Sequence, residues 1–201
     1  MLSARWKLPQ QAATACSCCG QLYLFCRFFE ALLFVLPSSS WLAAIALSLC
    51  VLSGHAETLQ GQVIAVSDGD TITVLDNERR QHTVRLQGID APEKAQPFGA
   101  KSKASLSDLS YRKAVSVEWA KRDRYKRIVG KVIVEGGDIN LQQVKRGMAW
   151  WYEKYQTEQS PEDRVAYKVA EQDARTSKVG LWTQPNPQPP WEYRQARKSP
   201  R

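Results

Sequence analysis

The stretch LQGQVIAVSDGDTITVL, residues 59–75, decides the fold. Apolar and polar residues alternate from Leu59 to Ser67 and again from Thr71 to Leu75, with Asp68-Gly69 between them. A period of two marks half-buried strands, and Asp-Gly between two such runs marks a tight hairpin whose glycine is expected to supply positive φ. Asp76-Asn77-Glu78 makes the next turn, and His82 to Gln87 a third strand with Val84 and Leu86 on one face. Ala114 to Ala120 and Ile128 to Val134 read as a fourth and a fifth strand, the last ended by Gly136-Gly137. Pro92 and Pro97 bracket a loop, after which Phe98 to Arg112 reads as a helix.

Asp138 is placed to cap a second helix that runs to Gly147. Ser160-Pro161-Glu162-Asp163 opens a third, with Ser as N-cap and Pro in the first turn, and Gly180-Leu181-Trp182 closes it. Five short strands interrupted and followed by three helices predict an α+β domain, and five strands are enough to close a small barrel. From Thr183 onward a proline-rich, basic tail need not be ordered.

Composition narrows the classes. The 201 residues carry 28 Lys+Arg against 20 Asp+Glu, a net charge of +8, with 43% hydrophobic residues. That is too apolar for a disordered chain, and its positive charge suits a polyanionic partner, nucleic acid or an anionic membrane surface. All five cysteines (Cys16, Cys18, Cys19, Cys26, Cys50) lie in the first quarter, which excludes a disulfide framework or thiolate zinc site in the rest. No charged residue falls between Glu30 and Glu57, and Trp41 to Leu52 is an apolar run ending in Ser53-Gly54-His55-Ala56. Its length matches the core of a signal peptide cut after Ala56, which predicts export to the periplasm or medium. The forty preceding residues imply a start assigned too early; an uncleaved membrane anchor is the alternative reading. Removing residues 1–56 takes away Arg5, Lys7, Arg27 and Glu30 and leaves +6, so the basic bias belongs to the folded part.

The chemistry concentrates in Asp68-Gly-Asp70-Thr, in Arg85 to Glu93, and in Asp123-Arg124-Tyr125-Lys126-Arg127. The second stretch puts one fixed cation and two carboxylates within nine residues at the end of a strand. Pro92 disfavours the helical region for Ala91, which frees the Ala91 carbonyl to face a ligand. Asp70, Asp90 and that carbonyl offer three hard oxygens suited to Ca²⁺, with water completing the shell. Glu93 would sit beside the metal and activate a water as general base. Arg85 and a second arginine could clamp a pentacoordinate phosphorus, because a guanidinium fork matches phosphate oxygens. His82 is the one histidine beyond residue 56, which argues against histidine-based acid–base work. Taken singly, Asp68-Gly-Asp70 also reads as a plain turn, Asp90-Ala-Pro-Glu93 as a capping loop, and Lys121 to Arg127 as a solvated charge run. Tyr125 within that run makes base stacking plausible, whereas Trp150-Trp151-Tyr152 and Tyr155 read mainly as core.

In combination and in this order, the stretches resemble the staphylococcal nuclease (thermonuclease) family over about Gly61 to Trp182: DGDT, R-x4-D-x-P-E, D-[KR]-Y-x-R, then RG-[ML]-A and a terminal LW. The resemblance implies an OB-type five-stranded barrel with three helices over residues 57–183, followed by the tail 184–201. It also implies Ca²⁺-dependent cleavage of DNA and RNA with one ion per site. By the same resemblance Asp70, Asp90 and the Ala91 carbonyl hold the metal, and Asp68 lies just behind them. Arg85, Arg127 and Glu93 are the catalytic residues, and Arg124 and Tyr125 bind substrate. Lys126 and Ile128 stand where familiar members carry glycines, and Ala91 where they carry threonine. The rival reading is a non-catalytic OB-type nucleic-acid-binding module, but such a binder has no reason to keep three carboxylates in a basic groove. A third is a tethered protein docking on anionic lipid. No obligate protein partner is evident, and a monomer is expected.

Overall fold

The computed structural model describes residues 57–198. The segment read above as a signal peptide or anchor, 1–56, and with it every cysteine, lies outside the described residues. Among those described, no helix is long and apolar enough to cross a membrane.

Among the described residues eight strands form: β1 (Glu57–Asp68), β2 (Thr71–Asp76), β3 (Gln81–Leu86), β4 (Ile89–Asp90), β5 (Ala114–Arg122), β6 (Ile128–Val134), β7 (Gly137–Asp138) and β8 (Trp150–Trp151). The main sheet runs β3-β2-β1-β5-β6-β7, and a parallel β3–β6 pairing closes its first five strands into a barrel. Closure needs a strand that serves two neighbours. The first half of β1 pairs with β5 and the second with β2, and shifts of register after Val63 and Val66 coil it from one to the other. Val63, Ile72, Val74, Val84, Leu86, Val117, Ile128 and Val132 fill the interior, each almost fully buried. Each such side chain contributes roughly 1.5–3 kcal/mol by leaving water. The expected five-stranded α+β barrel is therefore present.

The helices are α1 (Gly99–Ser110), α2 (Ile139–Lys145), α3 (Pro161–Thr176) and α4 (Pro190–Lys198). Leu106 of α1, with Ile139 and Val144 of α2, joins the barrel core. Asp138 accepts from Leu141 N at the start of α2, and Ser160 from Asp163 N at the start of α3. Buried Tyr167 of α3 donates its hydroxyl to Asp138 at 2.8 Å, which locks the two helices together. One open reading is filled in and one expectation is corrected. The tail beyond Thr183 is ordered as α4, a fourth helix, because Pro190 starts it, Glu192 sits in its first turn and Arg197 and Lys198 in its last, each favoured by the helix dipole. Gly69 does not adopt positive φ. It is glycine because a Cβ there would lie 1.9 Å from Ser102 Oγ and 2.8 Å from Ala91 Cβ, so the hairpin tip can press against α1 and the loop after β4.

Candidate active site

Asp70 sits at the hairpin tip, and the β2–β3 register sets Thr71, its neighbour, opposite Arg85. Asp90, in the short strand β4, pairs with Trp150 of β8. These placements bring three distant residues together. Arg85 donates to Asp70 Oδ1 at 2.7 Å and to Asp90 Oδ1 at 2.6 Å, bridging the two carboxylates. Thr71 Oγ1 also donates to Asp70 Oδ1, and Ala91 N to Asp70 Oδ2 at 2.9 Å. The backbone of Ala91 is thus tied to the site, and no backbone N–H among the described residues donates to its carbonyl. Asp68 Oδ1 accepts from Asp70 N at 3.2 Å.

The loop carrying Glu93 is held by hydrogen bonds to Gln96 and by the start of α1. Gln96 Oε1 accepts from Glu93 N, and Gln96 N donates back to the Glu93 carbonyl. A Cβ on Gly99 would lie 2.1 Å from that same carbonyl, so α1 starts hard against the loop. Glu93 joins the two aspartates through Arg194 of α4. Its guanidinium donates to Glu93 Oε1 at 2.9 Å and to Asp90 Oδ1 and Oδ2 at 3.2 and 2.6 Å.

Three acids (Asp70, Asp90, Glu93) therefore share two guanidiniums, with Asp68 just behind Asp70, and burial governs the two acids that shift. Burial, with the charge of Asp70 beside it, pushes the Asp68 carboxyl up to about 6. Burial also raises Asp90; the Arg194 hydrogen bond works against that rise and Asp70 adds to it. Burial disfavours the charge on Arg85, but Asp70 and Asp90 hold it above the ordinary arginine range.

Arg124, Tyr125 and Arg127 lie apart, in the turn between β5 and β6. Asp123 Oδ1 accepts from Tyr125 N and Arg127 N, while its Oδ2 accepts from Arg127 Nε at 2.8 Å. Tyr125 is 65% exposed. Its ring carries the Arg124 guanidinium 5.0 Å from its centroid and that of Arg127 at 5.4 Å. Lys126 takes φ 64°, the left-handed conformation that a glycine would have supplied freely. Val84 and Ile128 pair across the barrel seam with both side chains buried, so Arg85 and Arg127 project from the same outer face. Arg127 is held by Asp123 in this structure, and it does not touch the acidic cluster.

The sequence profile of the family described as "Staphylococcal nuclease homologue" matches residues 83–184. The chain is 42% identical over 137 residues to an "Uncharacterized endonuclease" of Haemophilus influenzae, covering 68% of this chain and 74% of that one. It is also 42% identical over 149 residues to the "Micrococcal nuclease" of Shigella flexneri, covering 70% and 83% respectively. With the "Staphylococcal-like nuclease CAN1" of Arabidopsis thaliana it shares 32% over 143 residues. The chain belongs to the staphylococcal nuclease family. The profile match ends at residue 184, before α4 begins.

For a member of the staphylococcal nuclease family the donor set is the one a hard cation asks for. Asp70 and Asp90 offer carboxylate oxygens and Ala91 a backbone carbonyl, and burial makes the charged forms of Asp68 and Asp90 costly, a cost that a cation would offset. Among the described residues no three His, Cys, Asp or Glu side chains are grouped tightly enough to hold an ion by themselves. A metal here would draw on two carboxylates, the carbonyl and water, the oxygen donors of a hard cation.

Sequence reasoning missed Arg194. Its signal was the helix start at Pro189-Pro190-Trp191-Glu192, hidden by a composition that reads as tail. The core reading of the aromatic block holds for Trp150 and Trp151, both buried, while Tyr152 stacks on Trp191 at 5.2 Å with planes 3° apart.

Proposed function

We propose that this protein is a nuclease that hydrolyses phosphodiester bonds of DNA, RNA or both, with a divalent cation, Ca²⁺, at Asp70, Asp90 and the Ala91 carbonyl. The observation that carries the reading is the Arg85 bridge between Asp70 and Asp90, with Glu93 gathered to the same point. A bound cation would draw charge from a phosphate oxygen and offset the buried acids. Glu93 takes a proton of the water that attacks phosphorus; as the new P–O bond forms, the opposite P–O bond breaks and the departing ester oxygen keeps the electron pair and is protonated by solvent. Arg85 already has two N–H groups on carboxylates and stands ready to neutralise charge developing on the phosphate. Arg127 would join it after exchanging Asp123 for a phosphate oxygen, while Tyr125 and Arg124 hold the neighbouring nucleotide.

The acids favour this reading over a binding module without catalysis. Four carboxylates in one site of a basic domain weaken phosphate binding unless they serve a reaction. The protein is proposed to act as a monomer and to be exported through residues 1–56. N-terminal sequencing of the exported protein should begin near Glu57; any other start rejects cleavage after Ala56. Activity is tested by incubating DNA and RNA with the purified protein in Ca²⁺ and in chelator. Cleavage only with the metal supports the proposal, and no metal-dependent cleavage of either substrate rejects it.

A further inference from the structure

Helix α4 is docked onto the site mainly by polar and aromatic contacts. Arg194 spans Asp90 and Glu93, Trp191 stacks on Tyr152, Gln96 Nε2 donates to the Gln188 carbonyl at 2.6 Å and the Tyr193 hydroxyl to the Ala95 carbonyl at 3.4 Å. Apart from Pro190 at its start, the helix buries no residue, and none of its side chains belongs to the barrel core. It follows a segment carrying Pro185, Pro187 and Pro189, which holds it near the barrel without pairing to a strand. An element held this way can leave without unfolding the domain.

What Arg194 holds gives the docking its meaning. Its guanidinium uses both oxygens of Asp90, one of the two carboxylates assigned above to the cation, and one oxygen of Glu93, the assigned base. It supplies to Asp90 the positive charge that a cation would supply, yet it is 36% exposed and tethered rather than buried in place. Arg85, by contrast, reaches Asp90 from the barrel wall and leaves Asp90 Oδ2 to Arg194. The two guanidiniums already share Asp90 Oδ1, and a metal ion brought to Oδ2 would meet the like charge of Arg194 at contact distance.

We propose that α4 is an autoinhibitory plug, in which Arg194 is a tethered counter-cation that Ca²⁺ must displace from Asp90 and Glu93 before the nuclease is active. This rests on the metal-dependent reading given above and adds to it a threshold: the helix weakens metal binding and keeps the base engaged until Ca²⁺ is plentiful. A tethered competitor acts at high effective concentration, so it shifts the metal affinity of the whole chain.

The test uses the full-length protein and Ca²⁺ alone, with binding followed by titration calorimetry and α4 release followed by tryptic cleavage at Arg194, Arg197 and Lys198. Arg194→Gln should bind Ca²⁺ about tenfold more tightly than the unmodified protein. Trp191→Ala, which loosens the helix without touching an acid, should shift affinity in the same direction. In the unmodified protein, Ca²⁺ should speed cleavage at Arg197 and Lys198; in Arg194→Gln that cleavage should be fast without it. Ca²⁺ affinity that is equal or weaker in both variants overturns the plug while leaving the metal site standing. Protection of α4 at saturating Ca²⁺ overturns it too. Absence of Ca²⁺ binding in all three proteins overturns the metal reading itself, and the plug with it.

Discussion

Replacing Arg85 by alanine removes the cation that lies between two buried carboxylates. The side chain donates to Asp70 at 2.7 Å and Asp90 at 2.6 Å, and it is 20% exposed while its partners are 4% and 0% exposed. Breaking a buried pair by deleting one partner costs about 3–5 kcal/mol, because the charge left behind is uncompensated. Here each carboxylate keeps other partners: Thr71 and the Ala91 amide for Asp70, Arg194 for Asp90. The loss should therefore sit near the lower end, at about 3 kcal/mol. It should also depend on pH. Burial already raises Asp90 in the folded protein, and losing Arg85 raises it further, so the variant loses stability as pH rises and regains it when Asp90 is protonated. Urea unfolding in chelator should show a deficit of about 3 kcal/mol at pH 8 and a clearly smaller one at pH 5. A deficit below about 1 kcal/mol at pH 8, or one equal at both values, would refute the claim that Arg85 neutralises a buried pair.

Asp68 is raised to about 6 by burial and by Asp70, against an ordinary carboxylate near 4. A raised acid binds more protons folded than unfolded across that window, so its charge weakens the metal-free fold as pH climbs from about 4 to 6 and beyond. Asp68→Asn should stabilise the chelator-treated protein by about 1–2 kcal/mol at pH 8, after allowance for solvent screening, and by nothing at pH 4. Equal effects at both pH values in thermal melts would contradict the assignment. Gly69→Ala should destabilise by about 1–3 kcal/mol through overpacking, since Ser102 Oγ is fixed by its 2.6 Å bond to the Met148 carbonyl. A loss under about 0.5 kcal/mol would mean the hairpin tip is looser than the contact implies.

The barrel was legible because its strands bury one face, and that writes a period of two into residues 59–75 and Val84, Leu86. The caps at Asp138 and Ser160 were legible because unsatisfied helix N–H groups demand particular side chains. Asp70, Arg85, Asp90 and Glu93 could be picked out as types, but their meeting depends on Thr71 falling opposite Arg85, a register that sequence does not print. Arg194 was out of reach for another reason. It lies 104 residues from Asp90 and docks by charge, so it leaves no apolar rhythm to read. The role of Gly69 was misjudged because a glycine needed for close approach looks in sequence like one needed for φ. Arg127 lies four residues from Asp123, a spacing at which an ion pair forms locally, and that pairing holds it away from the acids in this structure.

The central claim is that the Arg85–Asp70–Asp90–Glu93 cluster carries phosphodiester hydrolysis. Single-turnover cleavage of DNA and RNA at saturating Ca²⁺, compared among the unmodified protein, Glu93→Ala and Arg85→Ala, tests it most directly. Each substitution should slow cleavage by on the order of a hundredfold or more, equivalent to about 3 kcal/mol of barrier, in protein whose circular dichroism shows the fold intact. Near-normal turnover by either folded variant would contradict the account.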